Sequence, residues 1–260
     1  MKKLILWSII PIVYTATSVR AQDIMVIETN DNTIYEYNVK DIGDVLFLSL
    51  ENIPSDSIAY HNCPDEHHPH LIDLGLPSGT KWACCNVGAT VPEAYGGYFA
   101  WGETEEKDIY DDVTYLYSSG IDKDGDGFYD ADVSYQIIGD DIAGTEYDAA
   151  LANWGGSWRM PSAEQCQELD SKCRSIWTTR NGVNGRLFTG PSGGKIFLPA
   201  GGHRSMFLVT FIGSYGYYWT SSFDPEYVSL GLGFFFNSQM LDIDFADKRY
   251  RGKSVRAVCQ

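Results

Sequence analysis

The stretch YVSLGLGFFF, residues 227–236, sets the character of the fold, because Val228, Leu230, Leu232, Phe234 and Phe236 put an apolar side chain at every second position. That is the period of a β-strand with one buried face. Ser229, Gly231 and Gly233 leave the other face small enough for another backbone or side chain to approach closely. Around this strand, Ile196–Ala200, Tyr217–Ser221, Met240–Phe245 and Ser254–Cys259 read as further short strands between turn residues. Upstream lie two helix starts. Thr145-Glu146-Tyr147-Asp148 has the Thr-x-x-Asp form, with a stop at Gly155-Gly156, and Ser162-x-x-Gln165 follows Pro161. The second helix places Cys166, Leu169 and Cys173 on one face. Two helices among many antiparallel strands predict an α+β domain.

Working outward, the organisation is read in four parts. Lys2 and Lys3, the apolar run Leu4–Val13 and Val19-Arg20-Ala21 before Gln22 form a secretory signal over residues 1–21, so the chain is expected to be exported to the periplasm, the cell surface or the medium. Pro11 and the polar residues from Thr15 onward break the run that a membrane anchor needs, and no later segment is apolar enough to span a bilayer. Residues 22–50 form a small β module. It holds IMVIE (24–28), TIYEYNV (33–39), the turn Asn30-Asp31-Asn32 and a strand at Val45–Leu50. Residues 51–70, with Pro54, Pro64 and Pro69, read as a linker. The main domain runs over residues 71–260.

Charge narrows the function. The 260 residues carry 19 Lys plus Arg against 35 Asp plus Glu, a net −16, which excludes a nucleic-acid partner, since phosphate binding rests on cationic side chains. Residues 103–148 alone hold fifteen acids and only two bases, Lys107 and Lys123. Within them Asp122-Lys-Asp124-Gly-Asp126-Gly-Phe128-Tyr-Asp130 has the form of a Ca²⁺ loop: carboxylates at positions 1, 3, 5 and 9, a carbonyl at 7 and a glycine turning the chain at 6. Position 12 is Val133 rather than a bidentate Glu and no flanking helices are evident, so a solvated acidic loop is the competing reading. Ca²⁺ would bind with the roughly 10⁻⁴–10⁻³ M affinity of extracellular modules.

In an oxidising compartment Cys63, Cys84, Cys85, Cys166, Cys173 and Cys259 are disulfide candidates. Cys84 and Cys85 adjoin in a strand and point to opposite faces. Cys166 and Cys173 stand two helical turns apart, too far to bridge each other. Six cysteines allow roughly 15 pairings, among which the spacing does not choose; one expected arrangement joins the second helix to the sheet segments carrying Cys84, Cys85 and Cys259. In the linker His61, Cys63, Asp65, Glu66, His67, His68 and His70 are rich in zinc-ligand types, but their spacing matches no regular site.

Taken together, several strings become specific: IDLGLPSGTKWACCNVGA (72–89), YGGYFAWGET (95–104), YDAALANWGGSWRMPSAEQ (147–165), WTTRNGVNG (177–185), GPSGGKIFLPAGGHR (190–204), GSYGYYWTSS (213–222) and SVRAV (254–258). In this order, across about residues 71–259, they resemble the Fibrobacter succinogenes major paralogous domain family of exported Bacteroidetes-type proteins. The resemblance implies a C-type-lectin-like fold, in the group that includes formylglycine-generating enzymes, in which two helices and short sheets present irregular loops. Trp82, Trp101, Trp154, Trp158 and Trp219 lie in matching strings and are expected to seal the core.

The segments that depart most from those strings are 203–214, Phe223–Tyr227 and Asn237–Arg251, and in such folds the loops after the second helix commonly form the recognition surface. The resemblance thus marks His203, Arg204, Met206, Phe207, Phe223, Asp224, Tyr227, Asn237, Gln239, Arg249, Tyr250 and Arg251 as ligand contacts, with ordinary connecting loops as the alternative. Aromatic, guanidinium and amide groups suit a glycan or a protein surface. No catalytic residues are assigned: four of the five His lie in the linker, and no GxSxG, HExxH or GxxxxGK[ST] occurs. The expected function is a non-catalytic binding module, possible calcium ordering its loops. A formylglycine-generating-like or carbohydrate-active enzyme, or a structural part of a surface appendage, are the alternatives.

Overall fold

The computed structural model describes residues 24–28, 34–38, 70–129 and 133–259. Its contacts divide the chain into two units, Met1–Ser55 and Asp56–Gln260. In the first, β1 (Ile24–Glu28) and β2 (Ile34–Asn38) pair antiparallel, with Ile24 opposite Asn38 and Glu28 opposite Ile34. The signal sequence, the Asn30–Asn32 turn, the strand expected at Val45–Leu50 and the linker up to Pro69, with Cys63, lie outside the described residues.

The second unit runs β3 (Leu71–Asp73), β4 (Lys81–Ala83), β5 (Ser118–Ser119), β6 (Ser134–Tyr135), α1 (Ala149–Trp154), α2 (Ala163–Lys172), β7 (Arg174–Arg180), β8 (Val183–Thr189), β9 (Lys195–Pro199), β10 (His203–Ser205), β11 (Leu208–Thr210), β12 (Gly216–Phe223), β13 (Leu230–Phe236), β14 (Leu241–Lys248) and β15 (Val258–Cys259). Three antiparallel sheets have the orders β15-β4-β3, β7-β8-β9 and β12-β13-β14, and β5–β6 and β10–β11 form two-stranded ribbons. Two helices with several short antiparallel sheets make a mixed, strand-rich fold.

Local chemistry explains where the elements begin and end. α2 opens on a capping box between Ser162 and Gln165, as its sequence predicts. α1 begins at Ala149 and not at Thr145, because the Asp148 carboxylate accepts the N–H of Ala150 at 2.8 Å and of Leu151 at 3.1 Å. The same buried carboxylate accepts the N–H of Gly144 at 2.8 Å and of Met160 at 3.1 Å, so one side chain ties three segments. The hairpin β7–β8 has little alternation of its own and is not anticipated from hydrophobicity. Its turn is Asn181-Gly182, with φ of 48° and 81°, the residue pair that tight hairpins favour.

The strand that opened the reading is buried differently from its pattern. Phe234 and Phe236 are buried, but Val228 is exposed and Leu230 and Leu232 are only partly covered, while Gly231 and Gly233 are buried. A β-carbon on Gly231 would stand 2.8 Å from the Trp101 ring, which occupies the space the glycines leave. A register shift between Gly233 and Phe235 marks where the covered face changes.

All five expected core tryptophans are buried. Trp101, Trp154, Trp158 and Trp219 share one cluster, and Trp82 joins Leu169, Phe188, Leu198, Phe234 and Phe236 in another. Arg256 is fully buried beside them: its Nε donates to Asn86 Oδ1 at 2.8 Å, Nη1 to the carbonyls of Ala83 and Cys84, and Nη2 to Phe197 O at 2.8 Å. Cys166 and Cys173 are free thiols, which corrects the bridges expected from α2. Burial pushes Cys166 up and Cys173 up to about 11, so neither is a ready thiolate at neutral pH. The sulfur of Cys84 lies 3.3 Å from His70 Nδ1.

Candidate functional site

The β10–β11 hairpin pairs His203 with Thr210 and Ser205 with Leu208. The body of the domain holds its backbone throughout. Gly202 N donates to Tyr215 O at 2.7 Å, Arg204 N to Gly252 O at 2.7 Å, and Met206 and Tyr110 exchange both N–H bonds at 2.8 Å. Gly202 has φ of 67°, and a β-carbon there would fall 1.9 Å from Thr210 O, so the bend admits only glycine. On this fixed hairpin four large apolar side chains face solvent: Phe207 is 71% exposed, Leu208 55%, Phe211 53% and Ile212 50%. Phe211 still packs 5.8 Å from the buried His203 ring, whereas Phe207, Leu208 and Ile212 are half or more exposed.

Next to the hairpin, half-buried rings line one face of sheet β12–β13–β14. Phe211 lies 5.2 Å from Tyr215, Tyr215 stacks 5.8 Å from Tyr217, Tyr217 stacks 5.6 Å from Phe235, and Phe235 meets Phe245 edge-on at 4.9 Å. Strand pairing sets Tyr217 directly opposite Phe235, and the rings close into a compact cluster, with Tyr215 also 6.3 Å from Phe235, Phe211 6.4 Å from Tyr217 and Tyr217 6.0 Å from Phe245.

A charged group of side chains adjoins these rings. Lys253 is fully buried, its Nζ 3.7 Å from the Trp219 ring centre and 4.6 Å from that of Phe245. Asp247 faces it at 3.0 Å and accepts Arg251 Nη1 at 2.9 Å. Burial pushes the Lys253 ammonium down to about 8 against the opposing pull of Asp247. His203 packs edge-on against Tyr217 at 4.8 Å. Burial, reinforced by Arg251 and Lys253, pushes its imidazole down to about 4, so it is neutral at pH 7. Burial works against ionisation of Asp247, yet Lys253 and Arg251 hold its carboxyl below the usual range.

The acidic loop adjoins the hairpin: a β-carbon on Gly127 would stand 2.9 Å from Met206 Cε. Asp122, Asp124 and Asp126 bring carboxylate oxygens within 4.8 Å of one another. Asp122 accepts the N–H of Gly125 at 2.7 Å and of Gly127 at 3.2 Å. Desolvation opposes its ionisation, but these bonds and Asp124 hold the carboxyl below its ordinary value. Phe128 follows on the exposed side, and Asp130 lies outside the described residues. Three hard oxygen donors at this separation fit Ca²⁺ better than a softer metal.

Elsewhere, a cavity of about 470 Å³ opens between α2 and the loops before it, lined by Ser78, Asp141, Arg159, Gln165 and Glu168 among others. Ser78 Oγ donates to Glu168 Oε2. Among the described residues no imidazole lines the cavity to take a proton from that serine.

The expected contact residues separate by burial. Phe207, Tyr227 and Gln239 are exposed, and Met206, Asn237 and Arg251 are partly so. His203, Asp224, Arg249 and Tyr250 are buried and cannot meet a ligand directly, which corrects their expected role. Arg249 lies 4.8 Å over the Trp101 ring and donates to Gln136 O at 2.9 Å, the fold's own carbonyl and ring being its partners. Asp224 accepts the N–H groups of Glu226 and Tyr227. The half-buried Arg204 turns inward over Tyr98 and Tyr110 and bonds Lys107 O at 3.1 Å. Phe223 packs 5.9 Å from Trp101. The candidate set did not include Leu208, Phe211, Ile212 or the clustered rings of Tyr215, Tyr217, Phe235 and Phe245. The two-residue spacing of Tyr215 and Tyr217 within GSYGYYWTSS is the signal that marks that cluster.

No family model, curated protein or solved structure matches the chain. No helix among the described residues is long and apolar enough to cross a membrane.

Proposed function

We propose that this chain is an exported, non-catalytic binding module, similar to the Fibrobacter succinogenes major paralogous domain family and of C-type-lectin-like fold, that recognises a glycan or a protein surface through its C-terminal loops. The observation that carries the reading is the hairpin 203–212. Its backbone is bonded to the domain on both sides while its tip turns Phe207, Leu208, Phe211 and Ile212 outward. Large apolar groups held rigidly in water cost solvation without contributing to the core, which is the usual mark of a contact surface.

Calcium belongs to the same proposal. Asp122, Asp124, Asp126 and the carbonyl of Phe128 would hold the ion, and its charge would fix a loop that touches Met206 at the hairpin. Titration calorimetry of the full chain with CaCl₂ is expected to show binding that Asp124→Ala removes; absence of heat in the parent chain would eliminate the calcium part alone. For recognition, the full chain is screened against immobilised oligosaccharides and extracellular proteins. Phe207→Ser with Leu208→Ser is expected to weaken whatever binds at least tenfold, and a chain that binds neither ligand class refutes the reading.

A further inference from the structure

The exposed apolar side chains of the β10–β11 hairpin have neighbours of their own kind from a distant part of the chain. Tyr110 and Met206 form an antiparallel bridge, and one residue beyond it on either strand stand Ile109 and Phe207, both exposed. The acidic loop meets the same bridge, since a β-carbon on Gly127 would lie 2.9 Å from Met206 Cε and 3.0 Å from Asp111 Oδ2. Phe128, next along that loop, is exposed too. Loop and hairpin thus bring apolar groups to one stretch of surface on a backbone that the domain holds in place.

The rim of that surface is acidic. Asp108, beside Ile109, is exposed, as are Asp124 and Asp126, whose carboxylate oxygens lie within 4.8 Å of each other and of Asp122. Local cations do little to balance them. Residues 103–148 set fifteen acids against Lys107 and Lys123, and Lys107 is committed to Glu103 at 2.8 Å. Arg204, at the foot of the hairpin, turns inward over Tyr98 and Tyr110. This charge selects among occupants. A second copy of the chain would bring the same acids face to face, an anionic bilayer would be repelled in the same way, and a neutral glycan would leave the carboxylates unused. A cationic partner relieves their mutual repulsion.

We propose that the hairpin tip and the acidic loop together dock a cationic, amphipathic polypeptide segment of another protein. Its large apolar side chains cover Phe207, Leu208 and Ile212, and its Lys or Arg groups pair with Asp108, Asp124 and Asp126. This rests on the reading of the chain as a binding module and names its partner class. The two halves do different work. Burying the apolar tip supplies most of the affinity, whereas the carboxylates speed the encounter and reject acidic or uncharged competitors. The contact of Gly127 with Met206 keeps the halves close enough for one short segment to reach both.

The test applies the full chain, in EDTA so that no metal takes the carboxylates, to an array of immobilised synthetic peptides in three sets. One interleaves Leu, Ile and Phe with Lys and Arg, the second interleaves the same apolar residues with Glu, and the third interleaves Lys and Arg with Ser. The first set alone is expected to bind. In solution titrations its binding should fall by about tenfold or more in Phe207→Ser/Leu208→Ser and by about fivefold in Asp108→Asn/Asp124→Asn/Asp126→Asn, with unchanged near-UV circular dichroism in both. Raising the salt from about 0.05 to about 0.5 M should weaken it as the second variant does, because screening shortens the reach of the carboxylates. Equal binding of the Glu set, or binding indifferent to salt and to the Asn variant, overturns the proposal and leaves the binding module standing. Binding of the Ser set that survives Phe207→Ser/Leu208→Ser does the same. An array that holds no peptide also overturns it, whether or not oligosaccharides or vesicles of anionic phospholipid bind. If no oligosaccharide and no extracellular protein binds either, the parent reading falls as well.

Discussion

Arg249 and Phe207 occupy loops of the same kind and carry the residue types expected at an interface, yet the fold uses them in opposite ways. Arg249 is fully buried between the Trp101 and Tyr115 rings and donates to carbonyls, whereas Phe207, 71% exposed, projects into solvent from a hairpin. A charged group buried without a carboxylate is held by the architecture, and an aromatic group exposed on a fixed backbone is surplus to it. Burial therefore sorts the C-terminal loops into buried structure and exposed surface where residue type does not.

The comparison is sharpest where removal damages the fold most. Arg256→Ala is expected to strand four acceptors and cost at least about 3 kcal/mol in urea denaturation, with Arg249→Ala somewhat less. If Arg249→Ala leaves the midpoint unchanged and abolishes binding, the assignment of Arg249 to the core is wrong. Gly231→Ala tests the Trp101 contact. Its new methyl meets the indole ring, and a loss of about 1–3 kcal/mol follows from overpacking; a neutral effect would show that the sheet can give way.

The next effect depends on pH. His203 has a folded value of about 4, below the ordinary 6.5, so the unfolded chain binds more protons between those values. Stability should be fully present above about pH 6.5 and fall as the pH drops toward 4. Measured as the thermal midpoint against pH, His203→Gln should flatten that slope by up to about 1 kcal/mol per pH unit. An unchanged slope would place the charged imidazole in contact with water. Smallest of all, Phe207→Ser should leave the denaturation midpoint within about 0.5 kcal/mol.

Much of the scaffold was legible in the chain because it is written in local chemistry. The Ser162–Gln165 capping box, the Gly155 stop and the five tryptophans all appear where short-range rules put them. What escaped was set by partners distant in sequence. The covered face of β13 follows Trp101, the start of α1 follows a carboxylate shared with Met160, and β7–β8 was announced only by Asn181-Gly182. The candidate site was half legible for the same reason. Segment 203–214 stood out by departing from its surroundings, but the inward turn of Arg204 depends on Tyr98 and Tyr110, about a hundred residues away.

The most direct test measures binding and stability together on Phe207→Ser/Leu208→Ser, using the array ligand that the parent chain holds. An unchanged unfolding midpoint with at least tenfold weaker binding is the predicted result. Full binding, or a midpoint lowered as far as that of Arg249→Ala, would contradict it, for the outward side chains would then belong to the fold itself.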